Sequence, residues 1–324
     1  MDNRSVKDSG RDFALDSRNN HEICTELTIG LCADQANISA KYFYDELGSR
    51  LFDAICLLPE YYLTRTEAEI FASHHTDISR CLGENICLIE PGAGNCSKAA
   101  NLFASIKPRQ YVAIDISADY LHSALQPLRL AYRDIDIIGL GLDMSEKLEL
   151  PAEVDEHRRV FFYPGSSIGN FTPEAALQWL QRMRAACGSD GGVLIGVDLV
   201  KEKAILDAAY DDALGVTAAF NLNMLNHVRR VLQADFDLAD WGHKAFFNPL
   251  HSRVEMHLQA QRAVRVEWPE GVRYFEKGET IHTENSYKYT TNNFSSLLRD
   301  AGFSPTQLWQ DENKWFALFY ARAV

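Results

Sequence analysis

The chain has 324 residues, a length that corresponds to about two domains. Hydrophobic residues make up 46% and charged residues 24%, an ordinary globular composition that argues against disorder. Acidic residues outnumber basic ones by 45 to 32. The resulting net charge of −13 disfavours a general nucleic-acid binder, because phosphate affinity comes largely from Lys and Arg.

The cysteines and the polar N-terminus indicate the cellular compartment in which we expect the protein. Its 7 cysteines are scattered and form no C-x-x-C pair, so we expect neither a disulfide framework nor a metal site. No stretch approaches the ~20 apolar residues that cross a bilayer, and the start of the chain lacks the apolar segment of a signal peptide. We therefore expect a cytoplasmic protein without membrane or nucleic-acid partners, whose residues 1–20 form a flexible tail. The sequence leaves the oligomeric state open, and a monomer is compatible with it.

Residues 21–81 have the spacing of helices. Apolar residues recur there at steps of three and four, and Pro59 interrupts the pattern because proline clashes with the preceding helical turn. Thr64 and Glu67 resemble a capping box at the start of the next helix. We predict that this region forms the N-terminal helical part of a substrate-binding lobe.

From residue 86 onward, short apolar runs alternate with helical segments. The runs that indicate buried strands lie at residues 86–90, 111–115, 135–140, 160–163 and 193–198. The helical segments between them lie at residues 97–105, 118–131 and 173–186. This alternation predicts a doubly wound α/β sheet, in which ligands bind at the carboxyl ends of the strands.

The last third of the chain divides into an insertion and a return to the core. Residues 201–250 have helical spacing, and residues 253–289 alternate as strands do. A helix at 292–301 and a strand at 314–321 follow, an ending typical of class I methyltransferases. We predict a class I (Rossmann-like) α/β core at 82–198 plus 290–324. The insertion at 199–289 completes the substrate lobe.

The sharpest local motif is the E-P-G-A-G turn at residues 90–94, where a predicted strand leads into a helix. Its glycines allow positive φ and a close approach of ligand to backbone. A nicotinamide cofactor would favour a third glycine at position 97, which is Ser97, whereas an E-x-G-x-G turn is usual for S-adenosylmethionine (SAM). Asp115 can accept ribose hydroxyls, Asp143 can bond an adenine amino group, and Met144 can pack on the ring. These features alone leave SAM, NAD and an ordinary βα turn open.

A longer resemblance narrows this choice. The run KYFYDELGSRLFDAICLLPEYYLTRTEAEIF at 41–71 resembles the signature of the L-histidine Nα-methyltransferases of ergothioneine biosynthesis. Supporting stretches are PGSSIGNFTP at 164–173, HSRVEMHL at 251–258 and GETIHTENSYKY at 278–289. The resemblance implies a Rossmann-like core with an extra domain. It also implies conversion of histidine to its trimethylated betaine, hercynine, with SAM as the methyl-donor co-substrate and no metal.

For the SAM site, the resemblance implies a role for each residue that matches the family's motifs. Gly92 and Lys98 line the methionine end of SAM, Asp115 holds the ribose, and Asp143 with Met144 holds the adenine. Without the resemblance, Lys98 would be an ordinary solvated lysine in the first turn of a helix.

For the substrate, the resemblance places catalysis at the α-amine. Tyr61 and Asn170 surround this amine and are the residues expected to act in catalysis. Tyr210, together with Asn170, holds the carboxylate. Taken alone, each tyrosine would more commonly be a partly buried core residue with one hydrogen bond.

The imidazole end of the substrate site is implied in the same way. Glu284 and Ser286 bind the ring, Tyr44 contributes at that end, and Met256 packs on the ring. The plain alternative for Glu284 and Ser286 is the solvated face of a strand. At the level of function, the alternatives are a methyltransferase acting on another amino acid or amine, a NAD-dependent oxidoreductase, and a non-catalytic binding protein.

Overall fold

A computed structural model of the chain describes residues 12–14, 20–142 and 148–324. Asp143 and Met144, predicted to bind adenine, lie outside these ranges. The described residues form one large sheet, whose eight strands lie in the order β1 (Asp12–Ala14), β4 (Asp136–Gly141), β3 (Gln110–Asp115), β2 (Cys87–Pro91), β5 (Arg159–Tyr163), β6 (Gly192–Asp198), β13 (Phe316–Ala323) and β12 (Phe303–Gln310). In this described sheet, seven strands run in one direction and β13, between β6 and β12, runs in the opposite direction.

Helices cover both faces of the sheet, because successive strand residues point to opposite sides. Leu88 packs on one side and Ile89 on the other, each in its own hydrophobic cluster. The first face carries α3 (Tyr62–Leu82), α4 (Ser97–Ile106) and α5 (Ala118–Ala131), and the second carries α6 (Pro173–Cys187) and α9 (Thr291–Asp300). The predicted doubly wound α/β core is confirmed.

A third hydrophobic cluster lies outside the sheet. It is enclosed by α1 (Asn20–Cys32), α2 (Glu46–Ile55), α7 (Lys203–Tyr210), α8 (Val216–Leu232), the antiparallel strands β7 (Trp241–Asn248), β8 (Arg253–Ala260) and β11 (Thr280–Tyr287), and the hairpin β9 (Val264–Trp268) and β10 (Gly271–Phe275). Short 3₁₀ helices complete the described fold at Ala40–Phe43, Ser167–Asn170 and Leu238–Asp240. We call the elements around this third cluster the lobe.

Helix α3 does not lie wholly in the lobe, where the sequence boundary at residue 81 would place it. Its first residues, Tyr62 and Leu63, pack in the lobe cluster. Ile70, Ile78 and Leu82 pack against the large sheet instead. The helix therefore joins the two parts, because its apolar stripe is long enough to cover both.

Strand β7 contradicts the helical spacing expected for residues 201–250. The helical pattern ends with α8, and the chain then forms an edge strand paired with β8. Its sequence lacks a clean alternation, because Phe246 and Phe247 are adjacent and each packs on a different face. Phe247 belongs to the lobe cluster, whereas the Phe246 ring stacks on His257. Because apolar side chains pack on both faces of β7, the alternation of apolar and polar residues that would identify a strand is hidden.

The lobe is attached at the carboxyl ends of the core strands. Leu199, directly after β6, forms an isolated β-bridge with Tyr289, and the N–H of Tyr289 donates to the carbonyl of Asp198 at 3.0 Å. Beyond β3, the Ser117 hydroxyl donates to the carbonyl of Tyr44 at 3.0 Å. These contacts hold the lobe over the edge of the sheet at which ligands of this fold bind.

Candidate functional site

The glycine turn after β2 exposes its backbone to a ligand. Gly92 has φ +68° and Gly94 has φ +52°, a region that favours glycine. A Cβ placed on either residue would have no heavy atom within 4 Å, so the surface in front of the turn is open. The turn therefore fits a ligand that lies directly against the main chain.

Beneath the turn lies the acidic residue of the same motif. Glu90 is buried at the end of β2, and the Tyr111 hydroxyl donates to its Oε2. Burial raises the pKa of Glu90 to about 8, although the bond from Tyr111 opposes the rise. Glu90 thus supports the turn from inside.

Asp115, at the end of β3, faces the glycine turn. Its Oδ2 accepts from the N–H of Gly94 at 2.9 Å and its Oδ1 accepts from the N–H of Ser117 at 3.0 Å. Burial raises the pKa of Asp115, and these backbone donors oppose the rise. Each carboxylate oxygen retains acceptor capacity, which suits the two hydroxyls of a ribose.

Lys98, in the helix that follows the turn, is bonded by Glu67, a residue predicted from the sequence to lie in a helix cap. The predicted capping box of Thr64 and Glu67 does not form, because α3 begins at Tyr62 with Tyr61 as its N-cap. Glu67 instead points inward, with 1% of its surface exposed. Its Oε2 accepts from Lys98 Nζ at 2.6 Å and its Oε1 accepts from the N–H that follows Pro164 at 2.7 Å.

An aromatic series leads from this edge of the core into the lobe. The Tyr44 ring meets the Phe52 ring edge-on at 5.8 Å, Phe52 meets Tyr61 at 6.2 Å, and Tyr61 meets Tyr210 at 6.1 Å between centroids. Among the described residues, the hydroxyls of Tyr44 and Tyr61 have no hydrogen-bond partner. Burial raises the pKa of both phenols well above the ordinary value, so both stay neutral.

The Tyr210 hydroxyl belongs to a buried polar network. Tyr210 Oη and Ser286 Oγ are 2.8 Å apart, and Lys288 Nζ donates to each of them at 2.9 Å. Lys288 also contacts Asp198 Oδ2 at 2.7 Å, and Lys201 contacts Asp198 Oδ1 at 2.5 Å. Burial raises the pKa of Asp198, but the two ammonium groups outweigh it and lower the pKa below the ordinary value.

Glu284 lies next to this network with its carboxylate unpaired. It sits opposite Met256 in the antiparallel register of β11 and β8, so the two side chains share a face. Burial raises the pKa of Glu284 to about 7, against the opposing charge of Lys288. In the part of the chain that the structure describes, no donor satisfies this carboxylate.

Electrostatics place Glu284 near the tyrosines. At Tyr44, Tyr61 and Tyr210, burial is the largest cause of a raised pKa, and the Glu284 carboxylate adds to the rise at each. Asp115 contributes in the same way at Tyr44. The Tyr44 phenol therefore lies within electrostatic reach of both carboxylates.

Asn170 is less closely tied to the site. It ends the 3₁₀ helix Ser167–Asn170 and is exposed. A Cβ on the preceding Gly169 would lie 2.8 Å from the carbonyl oxygen of Tyr287, so this helix packs directly on β11. Within the described ranges, the Asn170 side chain bonds neither Tyr61 nor Tyr210.

Three residues of the network, Asp198, Lys201 and Lys288, were not singled out from the sequence. Lys288 continues the alternation of Glu284 and Ser286, and this period of two is the signal that could have found it. Asp198 is the acidic end of an otherwise apolar strand run, which is also visible in the sequence. The described residues contain no group of three or more His, Cys, Asp or Glu side chains arranged for a metal ion.

The core topology and the ligand-facing turn define a class of enzyme. Parallel strands closed by antiparallel β13, a glycine turn after β2 and a carboxylate after β3 are the features of a class I SAM-dependent methyltransferase. The chain belongs to the family described as "Histidine-specific methyltransferase, SAM-dependent", whose profile matches residues 23–323. The resemblance found in the sequence is confirmed.

Curated relatives agree with this family. The chain is 37% identical over 302 residues to the histidine N-alpha-methyltransferase of Mycolicibacterium smegmatis, covering 91% of this chain and 93% of that protein. It is 36% identical over 300 residues to the enzyme of the same name from Mycobacterium tuberculosis, covering 90% and 92%. It is also 27% identical to ergothioneine biosynthesis protein 1 of Neurospora crassa, covering 84% of this chain and 32% of that protein.

None of the helices in the described ranges is long and apolar enough to span a membrane.

Proposed function

We propose that this chain transfers methyl groups from SAM to the α-amine of L-histidine, forming the mono-, di- and trimethylated products, the last being hercynine. The observation that carries the proposal is the unpaired Glu284 carboxylate, whose charge adds to the raised pKa of Tyr44, Tyr61 and Tyr210, three tyrosines that stay neutral. A carboxylate in that position is suited to accept an N–H of an imidazole. The core would bind the methyl donor and the lobe would bind the acceptor.

The roles at the donor site follow from the contacts. Gly92 and Lys98 would line the methionine end of SAM, with Glu67 holding Lys98 in place, and Asp115 would accept the ribose hydroxyls. SAM supplies a methyl group bound to a positively charged sulfur. Asp143 and Met144 stay as predicted adenine contacts.

Methyl transfer needs an amine with a free lone pair, and the proposed site suits that need. An α-amino group has a pKa near ~8 at a chain terminus, so it must lose a proton before it reacts. Tyr61 is neutral and Asn170 is an amide, so neither stabilises the ammonium form as a carboxylate would. Their side-chain oxygens can accept from the amine and align its nitrogen.

Mass spectrometry with a panel of amino acids tests the proposal directly. After incubation with SAM, we expect the masses of mono-, di- and trimethylhistidine to appear in succession, with no comparable product from other amino acids. Methylation of another amino acid or amine in preference to histidine would favour the alternative acceptor. The absence of any methylated product would contradict both the histidine acceptor and the alternative acceptor.

The pKa of Glu284 predicts how substrate affinity changes with pH. Burial raises this pKa to about 7, and only the ionised carboxylate can accept from the imidazole without donating. We therefore expect KM for histidine to fall as the pH rises through about 7 and to level off above it. Glu284→Gln should abolish this inflection, whereas the titration of free histidine remains in both proteins. Identical pH profiles of KM in the wild type and in Glu284→Gln, after correction for the titration of free histidine, would contradict the assignment.

Asp115→Ala tests the donor site. The variant removes the acceptors for the ribose hydroxyls and frees the N–H of Gly94, so we expect the SAM dissociation constant to rise about tenfold or more. Titration calorimetry measures this rise. Asp119→Ala is the matched control, because Asp119 is an exposed carboxylate in the first turn of α5. Equal SAM affinities in the two variants would contradict the role of Asp115.

A further inference from the structure

Lys288 has no assigned role, yet it occupies the centre of the buried network. Its ammonium donates to Asp198 Oδ2 at 2.7 Å, to Tyr210 Oη at 2.9 Å and to Ser286 Oγ at 2.9 Å. The side chains of Lys288 and Asp198 are both 0% exposed. An ammonium has three N–H groups and no acceptor, so these three bonds use all of its hydrogens.

The charge of Lys288 fixes the direction of these bonds. Burial favours the neutral amine, but the Asp198 carboxylate outweighs burial and raises the pKa of Lys288 above its ordinary value. The group is therefore an ammonium at the pH at which the protein works. Tyr210 and Ser286 must each accept from it.

A count of hydrogens then determines what the two hydroxyls can offer. Tyr210 Oη and Ser286 Oγ share one hydrogen in their mutual bond of 2.8 Å, whichever of them donates it. Two hydroxyls carry two hydrogens, so one O–H remains. In the described ranges this O–H has no acceptor. The pair thus presents one O–H donor and one lone pair to a ligand.

We propose that Lys288 is a positioning residue that makes the Tyr210–Ser286 pair a donor of one hydrogen bond to the α-carboxylate of the substrate. This inference rests on the proposed function and on the expectation from the family resemblance that this carboxylate binds at Tyr210. A carboxylate offers only acceptors, so it needs the O–H that the pair presents. Hydrogen bonds to a charged group are also the stronger ones, and the ammonium behind the pair polarises the donor.

The chain provides a matched control in Lys201. This lysine binds the other oxygen of Asp198 at 2.5 Å and is likewise buried, with 4% of its side chain exposed. Its remaining contacts are the Tyr62 hydroxyl and the carbonyl of Leu199, both at 2.5 Å. It therefore shares the burial and the counter-ion of Lys288 without a contact to Tyr210 or Ser286 in the described structure.

The experiment compares L-histidine with L-histidinamide, whose neutral amide replaces the carboxylate. We measure kcat/KM for both substrates and take their ratio in each protein, so the different basicity of the two amines cancels between proteins. Lys288→Met should lower the preference for histidine about tenfold or more relative to wild type. Lys201→Met should keep the wild-type ratio, even where its stability falls.

Lys288→Gln is measured in parallel, so the outcome does not depend on the folding of one variant. It keeps much of the side-chain length and two N–H donors but not the charge, and it should also lower the ratio. If Lys288 had only a structural role, its substitution would lower kcat/KM for both substrates by the same factor. An unchanged ratio of the two kcat/KM values in the Lys288 variants would therefore overturn the inference. Failure of the wild-type protein to methylate histidine would instead overturn the proposed function.

Discussion

We expect Tyr61→Phe to lower kcat for histidine methylation by about 100-fold, because small losses of alignment between reacting groups cost rates of that order. The Tyr61 ring is fixed by edge contacts to Phe52 and Tyr210, and phenylalanine preserves both. The change therefore removes only a hydroxyl that has no partner among the described residues. SAM affinity should stay close to that of wild type, since the proposed function assigns Tyr61 to the acceptor and not to the methyl donor.

Single-turnover kinetics at saturating SAM measure this effect without interference from product release. Tyr120→Phe is the control, because its hydroxyl makes only an exposed contact with Asp53 at 3.3 Å. A Tyr61→Phe enzyme with wild-type kcat and weakened SAM binding would show that Tyr61 serves the donor rather than the amine.

The second large effect is expected at Glu284. Glu284→Ala should lower kcat/KM for histidine about 100-fold and should weaken the preference for histidine over phenylalanine, whose ring has no N–H, because a site built to bond an N–H rejects ligands that leave it unpaired. Once the carboxylate is gone, Met256 and the neighbouring tyrosines form a site that an apolar ring can fill. Competition between the two amino acids, followed by mass spectrometry, gives the preference directly.

Glu284→Gln separates charge from shape in this test. Glutamine keeps one acceptor oxygen at nearly the same place. The Glu284→Gln enzyme should therefore lose less of its preference for histidine than the Glu284→Ala enzyme does. The outcome that would remove Glu284 from the imidazole site is a preference for histidine that neither substitution changes.

The core of the fold could be predicted from the sequence because each signal there is local. All five predicted strands of residues 86–198 are present to within one residue, and α5 is found at the predicted Ala118–Ala131. Strand β7 could not be predicted, since Phe246 and Phe247 are adjacent apolar residues that pack on different faces and conceal the alternation. Helix α3 was assigned to one part because its sequence does not show that its apolar stripe crosses from the lobe to the sheet.

The candidate site was less predictable for a different reason. Family motifs indicated Tyr61, Tyr210 and Glu284, each within a run of neighbouring residues. The network around Tyr210 is built from distant points of the chain, and spacing cannot show that Asp198 and Lys288 meet. Pairing of charges across 90 positions is a property of the tertiary structure, and it becomes visible only when strand β6 and the end of β11 are placed side by side.

The bridge between Leu199 and Tyr289 has a consequence for how such enzymes diversify. Residues 200–288 leave the core and return to it at this single bridge. Their number and sequence can therefore change without altering the strands of the large sheet. With the acceptor bound by the lobe, as proposed, a change of acceptor in evolution requires changes in this segment and in the helices packed on it. The core, proposed to bind the methyl donor, can be inherited unchanged.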